Sequence, residues 1–532
     1  MNHITNWLLS PFKTNLHFFF IILILISSVD IYDFGNRGCL PYSIYLFFHG
    51  YLIAYIAALI AYILPRYIST IYKVLLTLIC FALFAADIIS YCIYQEKFTA
   101  DFLCIFAQTN TQEIIEFLEV YFSPTYILII LCTVLFITAS YYILKRKLTE
   151  LKKRAFYSTI AGIIIILSLI MGLRNPYMYN DAFSGRFIHL CKYISKLSQK
   201  IYDLEKYIII PEITTTKERQ PKNVVMIIGE SFSKSHSSLY GYKRTTNPRL
   251  SSIADSLLYV YTEVKSADLH TIASFKCIMS TYKPEYSDSV EWYKCITMPT
   301  TMRAAGYSTH WVSNQSKIGI FDTAVGRYAD LCDTQHFVGD KFAGMNRIDY
   351  KDEKIIDLLQ PLLKDTTENN FYIIQLMGSH MNFKHRYPEN FNIFKPENYD
   401  EHPEHQRDNL AAYDNSILYN DSVVYEIMHL FENKEAVIFY FSDHAIDVYE
   451  SSDDYIGHAK ANNPASVDVG HKIPFMIYTS PLYKEKFPLE TEQIKQCVKQ
   501  PFRTDDIIYT IMDLVGIEFQ DNDLEGKSLF RM

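Results

Sequence analysis

The sequence predicts an N-terminal domain of five membrane-spanning helices followed by a C-terminal α/β domain with a mainly parallel central sheet. Three observations carry that prediction. Long apolar runs crowd the chain before residue 175. After residue 222, strand-like apolar runs alternate with helical patterns, as they do when helices cover a parallel sheet. Two of those runs, Val224–Gly229 and Val437–Phe441, are soon followed by metal-ligand residue types: Glu230 after the first, Asp443 and His444 after the second.

The chain has 532 residues, enough for two or more domains, and 49% of them are hydrophobic. Spanning a bilayer takes about 20 apolar residues. Segments at 16–32, 43–64, 71–94, 125–144 and 155–174 meet that length. The first is not read as a cleaved signal peptide, because no small-residue cleavage site follows it and four more spans do. One such run could be a buried core helix, but five in succession argue for a membrane domain over 1–175.

Basic residues in short loops set the orientation. Lys145, Arg146, Lys147, Lys152, Lys153 and Arg154 crowd the fourth loop, and Arg66 and Lys73 flank the second. The third loop is acidic, with Glu113, Glu116 and Glu119. The N-terminus and the second and fourth loops are therefore expected in the cytoplasm. An odd number of spans then places everything after about residue 175 outside, which in a Gram-negative cell is the periplasm. The formal net charge of −8 and the lack of a basic stripe in the second half give no reason to expect a nucleic-acid partner. Of ten cysteines, Cys277, Cys295, Cys332 and Cys497 would then lie in an oxidising compartment. Cys277 with Cys295 is the first pairing expected, although spacing alone does not settle connectivity.

Between the two domains, residues 176–222 divide in two. Within 185–204, Phe187, Leu190, Ile194, Leu197, Ile201 and Leu204 recur at steps of three and four, with Arg186, Lys192, Lys196 and Lys200 on other faces. This suits a helix lying along the membrane surface, or one packed on the soluble domain. Residues 205–222 read as a linker punctuated by Pro211 and Pro221. In the domain at 223–532, strands are expected at 223–229, 308–313, 371–377, 436–442 and 473–479, and helices at about 347–363, 408–431 and 503–515.

Ligands gather at the carboxyl ends of strands in open α/β sheets. Glu230, Asp443 and His444 brought together there would suit zinc, which takes carboxylate and imidazole donors. Each residue alone has a plainer reading: a helix cap for Glu230, a strand-end carboxylate for Asp443. Together they point to a metal-dependent transferase or hydrolase.

Five blocks extend this reading. They are Asn223–Ser231 with Ser238–Tyr242 and Thr245–Pro248; Met377–His380 with Arg386–Pro388; Tyr413–Asp421; Phe441–His444; and Gly457-His458. In that order they resemble the bacterial phosphoethanolamine transferases, membrane-anchored members of the alkaline phosphatase/sulfatase superfamily. The likeness leans towards the branch that decorates the lipopolysaccharide core rather than lipid A. The resemblance implies a zinc-bound threonine nucleophile about forty residues after the strand-end Glu, a place that Thr271 fills; Ser274 is the fallback. Metal coordination would make such a hydroxyl an attacking alkoxide. It also implies that His380 and His458 hold the phosphoryl group or a second zinc and protonate the leaving group. Weaker candidates for substrate contact are His385, His471, Asn314 and Gln315, the last two as pocket wall.

The implied reaction is ping-pong transfer of phosphoethanolamine from phosphatidylethanolamine to a lipopolysaccharide or other envelope glycolipid, by a monomer anchored in the inner membrane. A phosphoglycerol transferase or phosphodiesterase with the same metal site is the alternative, and a non-catalytic envelope sensor a third. A true sulfatase fits less well, because Cys277 lacks the Pro and Arg spacing that formylglycine conversion needs. One departure stands out. The family usually follows Asp-His with Gly and an acidic residue, whereas this chain has Ala445-Ile446 and then Asp447. A remodelled turn is the expectation there.

Overall fold

The structure, a computed structural model, describes residues 10–36, 40–94, 97–98, 128, 131–132, 135, 185–189, 191–192, 207–283, 285, 290–315, 323–341, 351–364, 369–460, 463–519, 524 and 526–531. The chain divides into two compact units, 1–106 with 121–200, and 107–120 with 201–532.

In the first unit, helices α1 (Leu16–Asn36), α2 (Leu40–Ile63) and α3 (Arg66–Tyr94) are each long and apolar enough to cross a membrane. They match the first three expected spans, with α3 starting at 66 rather than 71. Phe19, Ile22 and Ile26 of α1 pack with Tyr51, Ala54 and Ala58 of α2. The approach is close: a Cβ on Gly50 would lie 1.9 Å from Ser27 Oγ. Small residues permit such contact between membrane helices. The fourth and fifth expected spans lie outside the described residues apart from 128, 131–132 and 135, and so do the acidic third loop and the basic fourth loop; Arg66 and Lys73 lie in α3. Of the amphipathic stretch, 185–189 and 191–192 are helical and the rest lies outside the described residues.

The first unit also buries a group of charges that hydropathy did not single out. Lys97 Nζ lies 3.2 Å from Asp30 and 3.5 Å from Asp33. Arg186 Nη2 reaches Asp30 at 3.0 Å and Asp87 Oδ2 at 2.9 Å. Charges so placed persist because they are paired.

The second unit is built on a seven-stranded sheet. Its strands are β1 (Asn223–Gly229), β2 (Leu258–Tyr261), β3 (Tyr307–Ser313), β4 (Thr334–Phe337), β5 (Asn369–Gln375), β6 (Ala436–Ser442) and β7 (Phe475–Thr479), in the order β2-β7-β6-β1-β5-β3-β4. The run from β6 to β4 is parallel, but β7 is antiparallel to both β6 and β2. The sheet is thus mixed, with five strands parallel and β7 antiparallel to its two neighbours. The short strands β2 and β4 were not foreseen. Along β1, Val224, Met226 and Ile228 face one core while Val225 and Ile227 face another. Burial on both faces is why this strand reads as an unbroken apolar run. Four helices matter below: α4 (Thr271–Ile278), α5 (Glu404–Leu430), α6 (Pro464–His471) and α7 (Ile507–Val515).

Within the linker, Ile213–Thr215 pairs antiparallel with Ile517–Phe519 and Lys217 Nζ bonds Leu514 O at 3.0 Å. One expectation is corrected. Cys277 and Cys295 form no bridge, and both are free, as are Cys332 and Cys497. The Cys277 thiol donates to Ala273 O at 3.3 Å. Burial pushes the two thiols up to about 12 and about 11, away from the thiolate that oxidation requires.

Candidate metal centre

Parallel pairing of β1 with β6 sets Gly229 opposite Ser442, so Glu230 and Asp443 leave adjacent strands side by side. The Asp443 amide donates to Gly229 O at 3.1 Å, which continues the ladder one step. One ligand atom from each of Glu230, Asp443 and His444 lies within 4.8 Å of the others, and all three side chains are buried. His444 Nε2 is 3.2 Å from Glu230 Oε1 and 3.6 Å from Asp443 Oδ2. The structure thus brings the three sequence candidates together.

Thr271 joins them. It opens α4, where helix N–H groups lack intrahelical partners and favour an anion. Its hydroxyl donates to Glu230 Oε2 at 3.1 Å and lies 3.2 Å from His444 Nε2. Ser274, the fallback, is one turn further on, fully buried, with its hydroxyl given to Asp268 O at 3.2 Å. It is thereby set aside.

The electrostatics suit a dication. Burial and the neighbouring Glu230 push Asp443 well above the usual carboxylate range. Burial also opposes ionisation of Glu230, but His444 outweighs it and holds that carboxyl well below its ordinary value. Burial disfavours the His444 imidazolium, yet Asp443 and Glu230 lift it to about 10. Without a cation the pocket must keep protons on Asp443 and His444, which are charges that a metal ion would supply instead. Two orphaned or aimed atoms agree. Asp443 Oδ2 is buried without a hydrogen-bond partner. His444 Nδ1 lies 3.0 Å from the Ala445 carbonyl, which fixes the ring and leaves Nε2 towards the carboxylates.

His458 follows the short strand Ile456–Gly457, which pairs with Asp447–Val448 just after His444. Its ring centroid is 4.9 Å from that of His444 and 5.3 Å from that of His270, on which it stacks. Burial, then the nearby His444, hold His458 well below its ordinary value, so it is neutral. The Nδ1 atoms of His458 and His380 are both buried and without partners. His380 sits on the loop after β5, close enough to Glu230 to help hold its pKa down.

The weaker candidates lie around the cluster. Gln315 Nε2 donates to Glu230 Oε2 at 3.3 Å and to Leu376 O at 3.1 Å. Its own carbonyl is held by Gln375 Nε2 at 3.0 Å, and Ser313 Oγ in turn holds Gln375 at 3.0 Å. Asn314 donates to Asp352 at 2.8 Å, and that carboxylate takes the Met377 and Gly378 amides at 2.8 Å each. Both side chains brace the end of β1 and the His380 loop. His471, at the end of α6, lies 3.0 Å from Ser266 O and steadies the segment leading to Thr271. His385 makes no hydrogen bond to the cluster; its carbonyl accepts from Lys351 at 2.9 Å.

Ala445 sits in the turn without left-handed backbone, and its amide donates to Gly470 O at 2.9 Å. Asp447 is buried and accepts from the amides of Glu450 at 3.0 Å and Ser451 at 3.2 Å, and from Ser466 Oγ at 2.8 Å. The displaced acid thus ties the His458 side of the site to α6. Sequence reading missed His270, although its place beside Thr271 was a usable signal. It also missed Gly378, whose added Cβ would meet the Glu230 backbone N and O at 2.8 Å.

Comparisons with known proteins bear on this geometry. The family model described as Sulfatase matches residues 222–517. Phosphoethanolamine transferase EptC of Escherichia coli K12 is 26% identical over 490 residues, covering 85% of this chain and 81% of that protein. Phosphoethanolamine transferase EptA of Helicobacter pylori is 28% identical over 392 residues, covering 71% and 70%. Among solved structures, the zinc complex of the C-terminal periplasmic domain of the E. coli EptC aligns with TM-score 0.54 and 25% identity, covering 61% of this chain and 90% of that one. The integral membrane lipooligosaccharide phosphoethanolamine transferase A of Neisseria meningitidis aligns with TM-score 0.68 and 18% identity over 97% of each chain, a likeness of fold.

Proposed function

The chain belongs to the sulfatase family, and on that premise we propose that it is a zinc-dependent phosphoethanolamine transferase of the bacterial envelope. The donor is phosphatidylethanolamine, and the acceptor is lipopolysaccharide, at its core or lipid A. The single observation that carries the reading is the Thr271 hydroxyl at a helix start, 3.1 Å from Glu230 and 3.2 Å from His444. A structural threonine needs no buried carboxylate and imidazole converging on its oxygen. The relatives named as phosphoethanolamine transferases and the zinc complex of one of them support the choice of group and metal.

Glu230, Asp443, His444 and Thr271 would hold the ion. Bound zinc supplies the positive charge that acidifies the threonine hydroxyl and offsets charge on the phosphoryl oxygens. In the first half-reaction Thr271 Oγ1 bonds to the donor phosphorus and the bond to the glycerol oxygen breaks. Diacylglycerol leaves with the proton that the threonine gave up. In the second, an acceptor hydroxyl attacks the phosphothreonine, its proton returns to Thr271, and the acceptor keeps phosphoethanolamine. His458, neutral and with a free ring nitrogen, and His380 are the groups that bind phosphoryl oxygens and carry the proton between the two alcohols. The spans hold the monomer in the inner membrane, with residues 223–532 in the periplasm beside two lipid substrates.

The test is mass spectrometry of the purified full-length protein after incubation with phosphatidylethanolamine and no acceptor. A phosphoethanolamine adduct on the Thr271 peptide is expected. An unmodified peptide alongside diacylglycerol release would overturn the covalent route, and an adduct only with phosphatidylglycerol would reassign the donor.

A further inference from the structure

We propose that Tyr413 is a positioning residue for the metal centre: its phenol pins Ser231 in the left-handed conformation from which that serine steadies Glu230 and Asp443. The reasoning begins at the backbone. Ser231 follows the strand-end Glu230 directly and has φ 57°, a left-handed region that a residue with a Cβ adopts only at a cost. Such a conformation persists only when its surroundings over-determine it, and strain of this kind gathers at functional sites.

What Ser231 gains there is contact with both carboxylates. Its hydroxyl donates to Glu230 Oε1 at 2.7 Å, and its amide donates to Asp443 Oδ1 at 3.4 Å. What holds it there is Tyr413, on α5. The Tyr413 hydroxyl donates to Ser231 O at 2.8 Å and accepts from the Ser233 amide at 2.8 Å, so one oxygen closes the turn on both sides. The tyrosine is fully buried, with Phe383 and His236 packed against its ring at centroid distances of 4.8 and 4.9 Å. Its position is therefore set independently of the turn it holds.

The same stretch of α5 shows what this segment is for. Asp414 accepts from Tyr242 at 2.7 Å, Ser416 bonds Ser379 beside His380 at 2.9 Å, and Asp421 accepts from the Arg249 and Leu250 amides at 2.9 and 3.0 Å. Tyr413 is the member of this set whose partners, Ser231 and Ser233, closely follow a proposed ligand. Loss of a group that orients a metal ligand typically weakens metal binding tenfold to a hundredfold.

The inference rests on the zinc reading above, and its test separates the two. The zinc dissociation constant is measured by chelator competition on the full-length protein in detergent, together with its melting temperature. Tyr413→Phe keeps the ring and removes the oxygen. Its zinc affinity is expected to fall by about tenfold or more. The control is Tyr261→Phe, which removes an equally buried hydroxyl donated to Ile494 O at 2.7 Å and should leave zinc affinity as in the wild type. Glycine adopts positive φ without help. Against a Ser231→Gly background, Tyr413→Phe should therefore cost about threefold or less. A Tyr413→Phe protein that binds zinc as tightly as the wild type, or an equal loss in both backgrounds or in Tyr261→Phe, overturns the role. If Tyr413→Phe alone does not fold, recovery of folding in the double variant supports the role and its absence overturns it. A wild-type protein that takes up no zinc overturns the zinc reading itself.

Discussion

The Thr271 hydroxyl donates to Glu230 Oε2 at 3.1 Å across 41 positions of sequence, which places the proposed nucleophile on the carboxylate that would share its metal ion. Thr271→Ala removes the attacking oxygen and little else. Both half-reactions pass through that oxygen, so diacylglycerol release and acceptor modification should fall together, by about a thousandfold or more. Thr271→Ser keeps a hydroxyl and should retain measurable turnover. Diacylglycerol release at the wild-type rate from Thr271→Ala would rule out the covalent scheme.

Gly378 is held at φ 53°, and a Cβ there would lie 2.8 Å from the backbone N and O of Glu230. No flexible side chain is available to yield. Gly378→Ala should therefore displace Glu230, lower stability by about 1–3 kcal/mol and weaken zinc binding. Gly339→Ala, where a Cβ meets nothing within 4 Å, is the matched control and should change neither. Equal zinc affinity in the two variants would show that the close approach is not needed.

The ligand set was legible in the sequence because β1 and β6 are buried on both faces, and unbroken apolar runs mark where such strands end. Thr271 was not legible in that way. A threonine opening a helix has no hydropathy signal, and only its resemblance-based spacing from Glu230 picked it out. Asn314 and Gln315 were placed near the site, but their bonds to Asp352 and Glu230 were not legible, since composition does not show which partner an amide side chain takes. The linker strand escaped notice because Ile213–Thr215 pairs with Ile517–Phe519, some three hundred positions away, and nothing local announces the partner. The edge strands β2 and β4 have four residues each, too few for alternation to stand out.

The His236–Asp414 pair, 2.7 Å apart and buried, makes stability depend on pH. Burial disfavours the His236 imidazolium, but Asp414 outweighs it and raises the pKa above the ordinary 6.5. A histidine raised on folding stabilises the fold fully below its unfolded pKa, and that contribution is lost as pH rises through the folded value. The melting temperature of His236→Gln should accordingly lie furthest below the wild type near pH 6, and the gap should narrow towards pH 9. A gap that widens with pH would reverse the assignment.

Arg186 is the cation that joins α1 to α3 in the first unit, through Asp30 at 3.0 Å and Asp87 Oδ2 at 2.9 Å. Lys97 serves Asp30 and Asp33, at 3.2 and 3.5 Å. Removing one partner of a buried ion pair leaves a charge that the surroundings do not compensate, at a cost of about 3–5 kcal/mol. Arg186→Leu should therefore lower the melting temperature of the full-length protein in detergent and reduce its yield from membranes. Asp87→Asn made in the same chain removes the stranded carboxylate, so the double variant should recover much of the loss. The cause is then the unpaired charge, because deleting a second side chain restores what deleting the first took away. A double variant no more stable than Arg186→Leu would instead place the loss in the packing of the arginine stem.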